Sequence, residues 1–79
     1  MSTMERVKKV VAELLKIETG RIQEDSRFVE DLGADSMQSI ELVAAFEEEF
    51  DIEMDEDAAL GVKNVGDAVT FIDDVMSQG

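Results

Sequence analysis

The sequence predicts an all-α fold, a small four-helix bundle of three longer helices and a short third one, with a long first loop. Apolar residues recur with helical period in the stretches that would form the longer helices. Each of those stretches opens on a pair able to cap a helix N-terminus: Ser2 with Glu5, Asp35 with Gln38, Asn64 with Asp67. No β-hairpin signal appears, and there is no Pro and no internal repeat. Seventy-nine residues make one domain, residues 1–79.

The first helix is expected over about residues 3–17, where Val7, Val10, Val11, Leu14 and Leu15 recur at i, i+3, i+4, i+7 and i+8. Gly20, just beyond, marks the stop. Residues 18–34 hold no sustained period. Ile22, Phe28, Val29 and Leu32 are scattered among polar residues, as in a long loop that packs back on the helices. A connection of that length is uncommon and often functional. The second helix is expected from 36 to 50, with Leu42, Ala45, Phe46 and Phe50 as its core face. Met37, Ile40, Val43 and Ala44 lie to another side, mixed with Glu41, Glu47 and Glu48, an apolar stripe wider than a surface helix must bury. "DEDAAL", residues 55–60, suits a short helix with an acidic first turn, ended by Gly61. The last helix buries Val65, Ala68, Val69, Ile72, Val75 and Met76.

The net charge is −13, and it is lopsided. Residues 1–27 hold six bases against five acids; residues 28–79 hold only Lys63 against fifteen acids. Such a field repels nucleic acid and anionic membranes and attracts basic proteins. An apolar content of 44% with helical period argues against a disordered acidic chain. No window approaches a membrane span and no signal peptide opens the chain, so the expected location is cytoplasmic.

The chain has neither His nor Cys. The commonest general base, the commonest metal ligand and thiolate chemistry are therefore missing, and an enzyme is not expected. A calcium loop begun at Asp55 fails, because Ala59, Leu60 and Gly66 fall where oxygen ligands, glycine and the closing glutamate are needed. Ser36 is the remaining candidate for chemistry. Taken alone it is an ordinary first-turn serine. A phosphodiester on it would face free backbone N–H groups and the positive end of the helix dipole, so an attached phosphate is permitted there though not demanded.

"GADSMQSIELVAAFEEEFDIEM", residues 33–54, strongly resembles the prosthetic-group region of acyl carrier proteins. In that family an Asp-Ser-Leu triplet begins the second helix and an "ELV…EEEF" run follows. Here the triplet is Asp35-Ser36-Met37 and the run is Glu41-Leu42-Val43 to Glu47-Glu48-Glu49-Phe50. Size, charge, the long loop and "FVEDLGADS" extend the resemblance over nearly the whole chain.

The resemblance implies that Ser36 carries 4′-phosphopantetheine, transferred from coenzyme A by a separate transferase, with Asp35 and Met37 beside the arm. Its thiol would hold acyl chains as thioesters, which gives a chain without Cys a sulfur to work with. It implies docking of basic enzyme patches on Ile40, Glu41, Val43, Ala44, Glu47 and Glu48, in place of a merely solvated acidic face. It also implies an acyl-chain lining drawn from Phe28, Leu42, Val43, Phe46, Ile52, Ala59, Leu60, Val69 and Ile72. The expected shuttle is a monomer that binds no metal, serving fatty-acid or related acyl synthesis.

Four positions depart from the family pattern: Met37 for Leu, Gln38 for an acid, Ala44 for a larger Met, and Asp55 for a proline. They leave open which synthase is served, so polyketide, aminoacyl and lipid-A-type carriers stand as alternatives. An acidic adaptor needing no modified serine is a reading of another class, and Ser36→Ala would leave it unaffected.

Overall fold

The computed structural model describes residues 2–78. Among these residues four helices form: α1 (Thr3–Leu15), α2 (Ser36–Phe50), α3 (Glu56–Leu60) and α4 (Val65–Gln78). A short 3₁₀ turn, Thr19–Arg21, lies in the first loop.

α1 packs against both α2 and α4. Arg6, near the start of α1, reaches Glu49 at the end of α2. Thr3 Oγ1 donates to Asp73 Oδ1 near the end of α4 at 2.7 Å. Both partners therefore run antiparallel to α1, and the 51–64 connection returns along the length of the bundle.

α1 opens with the expected capping box: the Glu5 N–H donates to Ser2 Oγ at 3.1 Å and the Ser2 N–H to Glu5 Oε1 at 3.3 Å. Those Ser2 hydrogen bonds hold the Glu5 carboxyl below its ordinary value. The helix stops at Leu15, short of the expected end, and Gly20 is not its stop. Lys16 takes the left-handed conformation (φ 58°), and the N–H groups of Lys16 and Ile17 both donate to the Ala12 carbonyl. That is a Schellman end, closed before Gly20 is reached. α2 ends the same way: Asp51 has φ 54°, and the Asp51 and Ile52 N–H groups share the Glu47 carbonyl.

The core joins Val7 and Val11 of α1, Leu42, Phe46 and Phe50 of α2, and Val65, Ala68 and Ile72 of α4. Ile22 and Phe28 enter from the first loop, Met54 and Ala59 from the connection around α3. Burying a large apolar side chain of this kind contributes about 1.5–3 kcal/mol. The Phe28 and Phe46 rings meet at 6.4 Å, tilted by 51°. Several expected core positions differ, Val69 and Val75 of α4 among them, which are only half-buried. Val29 is 59% exposed, on the outside of a loop turn whose inner side is filled by Phe28. Ala45 is only half-buried, on the flank of α2. Met76 is 44% exposed, because the last turn of α4 overhangs the start of α1 beyond the Thr3–Asp73 contact.

The first loop is stitched to α4 by backbone pairing. The Phe28 N–H donates to the Lys63 carbonyl (3.1 Å), the Val65 N–H to Ser26 (3.0 Å) and the Gly66 N–H to Glu24 (2.7 Å). A Cβ at position 66 would lie 3.0 Å from Glu24 Cγ and 3.1 Å from its carbonyl oxygen, so this close approach favours glycine and any side chain there would press on the loop.

Candidate functional site

A tight turn delivers the chain to α2. The Asp31 and Leu32 N–H groups donate to the Arg27 carbonyl (2.9 and 3.0 Å) and the Ala34 N–H to Phe28 (2.8 Å). Asp31 Oδ2 accepts the Arg27 N–H at 2.8 Å and Arg27 Nε at 3.3 Å; Arg27 also pairs with Glu30. These bonds, the Arg27 backbone N–H foremost, hold the Asp31 carboxyl below its ordinary value. Gly33 turns the chain with φ 77°, and buried Ala34 anchors it on the core.

Asp35 then caps α2. Its Oδ1 accepts the Gln38 N–H at 2.7 Å, while Gln38 Oε1 accepts the Asp35 N–H at 3.1 Å. The Asp35 carbonyl takes both the Ser39 N–H (2.9 Å) and Ser39 Oγ (3.0 Å). Ser36 is the first residue of the helix, and its side chain is exposed. The N–H groups of Ser36 and Met37 have no acceptor among the described residues. A phosphate ester on Ser36 fits this end: the hydroxyl is reachable, and two unsatisfied donors and the helix dipole face it.

Along α2, Met37, Ile40, Glu41, Ala44 and Glu48 share the face opposite Leu42, Phe46 and Phe50, at 100° per residue. All five are exposed, Met37 by 69% and Ile40 by 66%. Val43 and Glu47 are half-buried at its edge.

The three consecutive glutamates have separate roles. Glu48 points to solvent. Glu47 Oε2 accepts the Met54 N–H at 2.9 Å. Glu49 Oε2 accepts Arg6 Nε at 3.0 Å, and Arg6 Nη2 donates to the Glu49 carbonyl at 2.7 Å. The Arg6 guanidinium also lies 4.3 Å from the centre of the Phe50 ring. No periodicity signals these contacts, since Arg6 and Glu49 are 43 positions apart.

Of the expected acyl-chain lining, Phe28, Leu42, Phe46, Ala59 and Ile72 are buried, and Val43, Ile52 and Val69 half-buried. Leu60 is 72% exposed and lies outside the interior, on the outer side of α3 while Ala59 faces in. Two surface depressions lie elsewhere. One, of about 480 Å³, is bordered by Val10, Leu14, Ala45 and Glu48. The other, of about 530 Å³, lies between the first loop and the start of α4. Among the described residues no group of three or more His, Cys, Asp or Glu is arranged to hold a metal, and no helix is long and apolar enough to cross a membrane.

A family model described as the phosphopantetheine attachment site matches residues 5–72. A solved structure from Mycobacterium tuberculosis, provisionally assigned as an acyl carrier protein, superimposes with a TM-score of 0.85 at 30% identity, covering 91% of this chain and 96% of that one. The family match spans all of α2 and reaches into α4. The chain belongs to the phosphopantetheine-attachment family, the acyl carrier proteins, which carry substrate on a phosphopantetheine cofactor and do not themselves catalyse.

Proposed function

We propose that Ser36 is the attachment residue and that the chain shuttles acyl groups among enzymes of fatty-acid or related acyl synthesis. The observation that carries this reading is an exposed serine at the first position of a capped helix, with two N–H groups free beside it. The Ser36 oxygen would displace adenosine 3′,5′-bisphosphate from coenzyme A, forming a phosphodiester to pantetheine. Its proton would pass to a base of the transferase, because this chain holds no His or Cys to receive it. The cofactor's thiol supplies the thioester chemistry. Asp35 and Gln38 hold the helix start in shape, and Met37 provides apolar surface beside the arm.

Ile40, Glu41, Ala44 and Glu48 form the docking face for basic enzyme patches, with Val43 and Glu47 at its edge. Steering of that kind favours fast, salt-sensitive encounters. The shuttle works as a cytoplasmic monomer.

The test is intact mass after incubation with coenzyme A and a broad-specificity phosphopantetheinyl transferase, with Ser36→Ala alongside. One added phosphopantetheine, absent in the variant, is the expected result. No addition, with the transferase active on another carrier, would turn the reading toward an acidic adaptor.

A further inference from the structure

Met37 follows Ser36 directly in α2, and most of its apolar surface lies outside the fold. It is 69% exposed, against 44% for Met76, while Met4 is half-buried and Met54 buried. Ile40, three positions on, is also exposed, so the two form an apolar pair on one helix face beside the serine. Among the described residues the other large exposed apolar side chains are Val29, Leu60 and Met76, and of all five only the two methionines carry sulfur. The chain has no Cys, so methionine thioethers are the only sulfur that the unloaded protein offers to an oxidant.

We propose that Met37 is a reversible oxidation site that gates loading: a peroxide converts its thioether to the sulfoxide and withdraws the unloaded chain from the transferase, and a methionine sulfoxide reductase returns it. In the forward step a sulfur lone pair attacks one oxygen of hydrogen peroxide. The S–O bond forms, the O–O bond breaks, sulfur gives up two electrons, and the second oxygen leaves as water. In the return step two thiols of the reductase become a disulfide, and the sulfoxide oxygen departs as water. Oxidation turns a flexible apolar side chain into a polar, chiral one. At an exposed position this changes what can dock beside Ser36 and leaves the packing of the bundle alone. At Met54, inside the core, the same change would act through stability instead. The family's Leu after the serine has no sulfur to oxidise, so the gate belongs to this chain's Asp35-Ser36-Met37 triplet. The inference rests on the reading of Ser36 as the attachment residue.

The experiment exposes the unloaded chain to dilute hydrogen peroxide, removes the peroxide with catalase, and locates the added oxygen by peptide mass. Loading from coenzyme A by a phosphopantetheinyl transferase is then measured. Met37 should be oxidised roughly tenfold faster than Met54, because reaction follows exposure of the sulfur. With Met37 oxidised and Met54 intact, KM for the chain should rise several-fold, kcat should stay near the untreated value, and the thermal midpoint should not move. The reductase should restore KM. Each variant is compared with its own untreated form: Met76→Leu should respond to peroxide as the parent does, and Met37→Leu should not respond. The proposal is overturned if Met37 reacts no faster than Met54, if the chain oxidised at Met37 loads like the untreated one, or if Met37→Leu loses loading as the parent does. A loss that appears only with Met54 oxidation and a lower midpoint would overturn it too, since unfolding would then be the cause. An untreated chain that does not load, beside another carrier that does, would overturn the attachment reading and the gate together.

Discussion

Lys16 and Asp51 hold φ values of 58° and 54°, a region that costs an L-residue about 1–2 kcal/mol. Lys16→Gly removes that strain for a smaller entropic penalty, so the thermal midpoint should rise by a few degrees, on the scale of ~4–8 °C per kcal/mol for a domain this small. Gly33 is the reverse case. With φ 77° and nothing within 4 Å of a built Cβ, Gly33→Ala meets no clash, only backbone strain. It should lose about 1–2 kcal/mol in urea unfolding. Asp31 gives a pH-dependent test. Its carboxyl is held below its ordinary value by the Arg27 backbone N–H, then by the Arg27 side chain. Its stabilisation is therefore complete above the unfolded value and fades as pH falls through the lower folded one. Asp31→Asn should be less stable at neutral pH, with the gap to the parent closing in acid; a constant gap would mean the charge is irrelevant. At this scale the caps at Ser2, Asp35 and Asn64 were legible, because a cap is a local bond across three positions, and with them the place of Ser36 as the first residue of α2. The end of α1 was not, because Lys16 carries no mark of the left-handed conformation that Gly20 seemed to reserve.

At the scale of the elements, α2 tests whether its acids differ in role. Charge reversal at the solvent-facing Glu41 and Glu48 should raise KM with the transferase several-fold, leave kcat near its parent value, and lose its effect in high salt. Glu49→Lys should instead lower stability, because it breaks the Arg6 contact and sets two cations together. Equal behaviour of the three variants would make α2 a uniform charged surface. The first loop and α4 offer a second test. Alanine is ordinarily better than glycine in a helix by about 1 kcal/mol. At Gly66 the Glu24 carbonyl is 3.1 Å from the added carbon, so Gly66→Ala should instead cost about 1–3 kcal/mol in chemical denaturation. A neutral result would show that the loop yields freely. The helices themselves were legible from period and caps. The Arg27–Asn64 pairing was not: it is a backbone contact between distant segments and leaves no side-chain pattern to read. Leu60 was misplaced for a related reason, since α3 is five residues long and too short for its period to tell the inner side from the outer.

For the whole molecule the dominant quantity is the net charge of −13. Among the described residues three ion pairs engage only Arg6 and Arg27, so most of the acids face one another through solvent. Sodium chloride or a divalent cation should raise the thermal midpoint, by screening or by site binding. A flat midpoint from low to moderate salt would refute the repulsion account. Charge and its lopsided distribution are composition, and were legible outright. The arrangement of three longer helices with α1 between its two neighbours depends on contacts such as Thr3 with Asp73, 70 positions apart, which composition cannot carry.

That last contact has a geometric consequence. Thr3 and Asp73 hold both ends of the fold together where α1 starts and α4 finishes, and α2 also finishes there, beside Arg6. Ser36 lies one full length of α2 away, roughly 22 Å at 1.5 Å per residue. With the attachment proposed at Ser36, the bundle therefore has a tether end and a working end. A leash, an affinity handle or a neighbouring domain joined at either terminus would leave the bundle on the side away from the serine, and the same fold can serve as a free-swimming carrier or as one bead on a longer string.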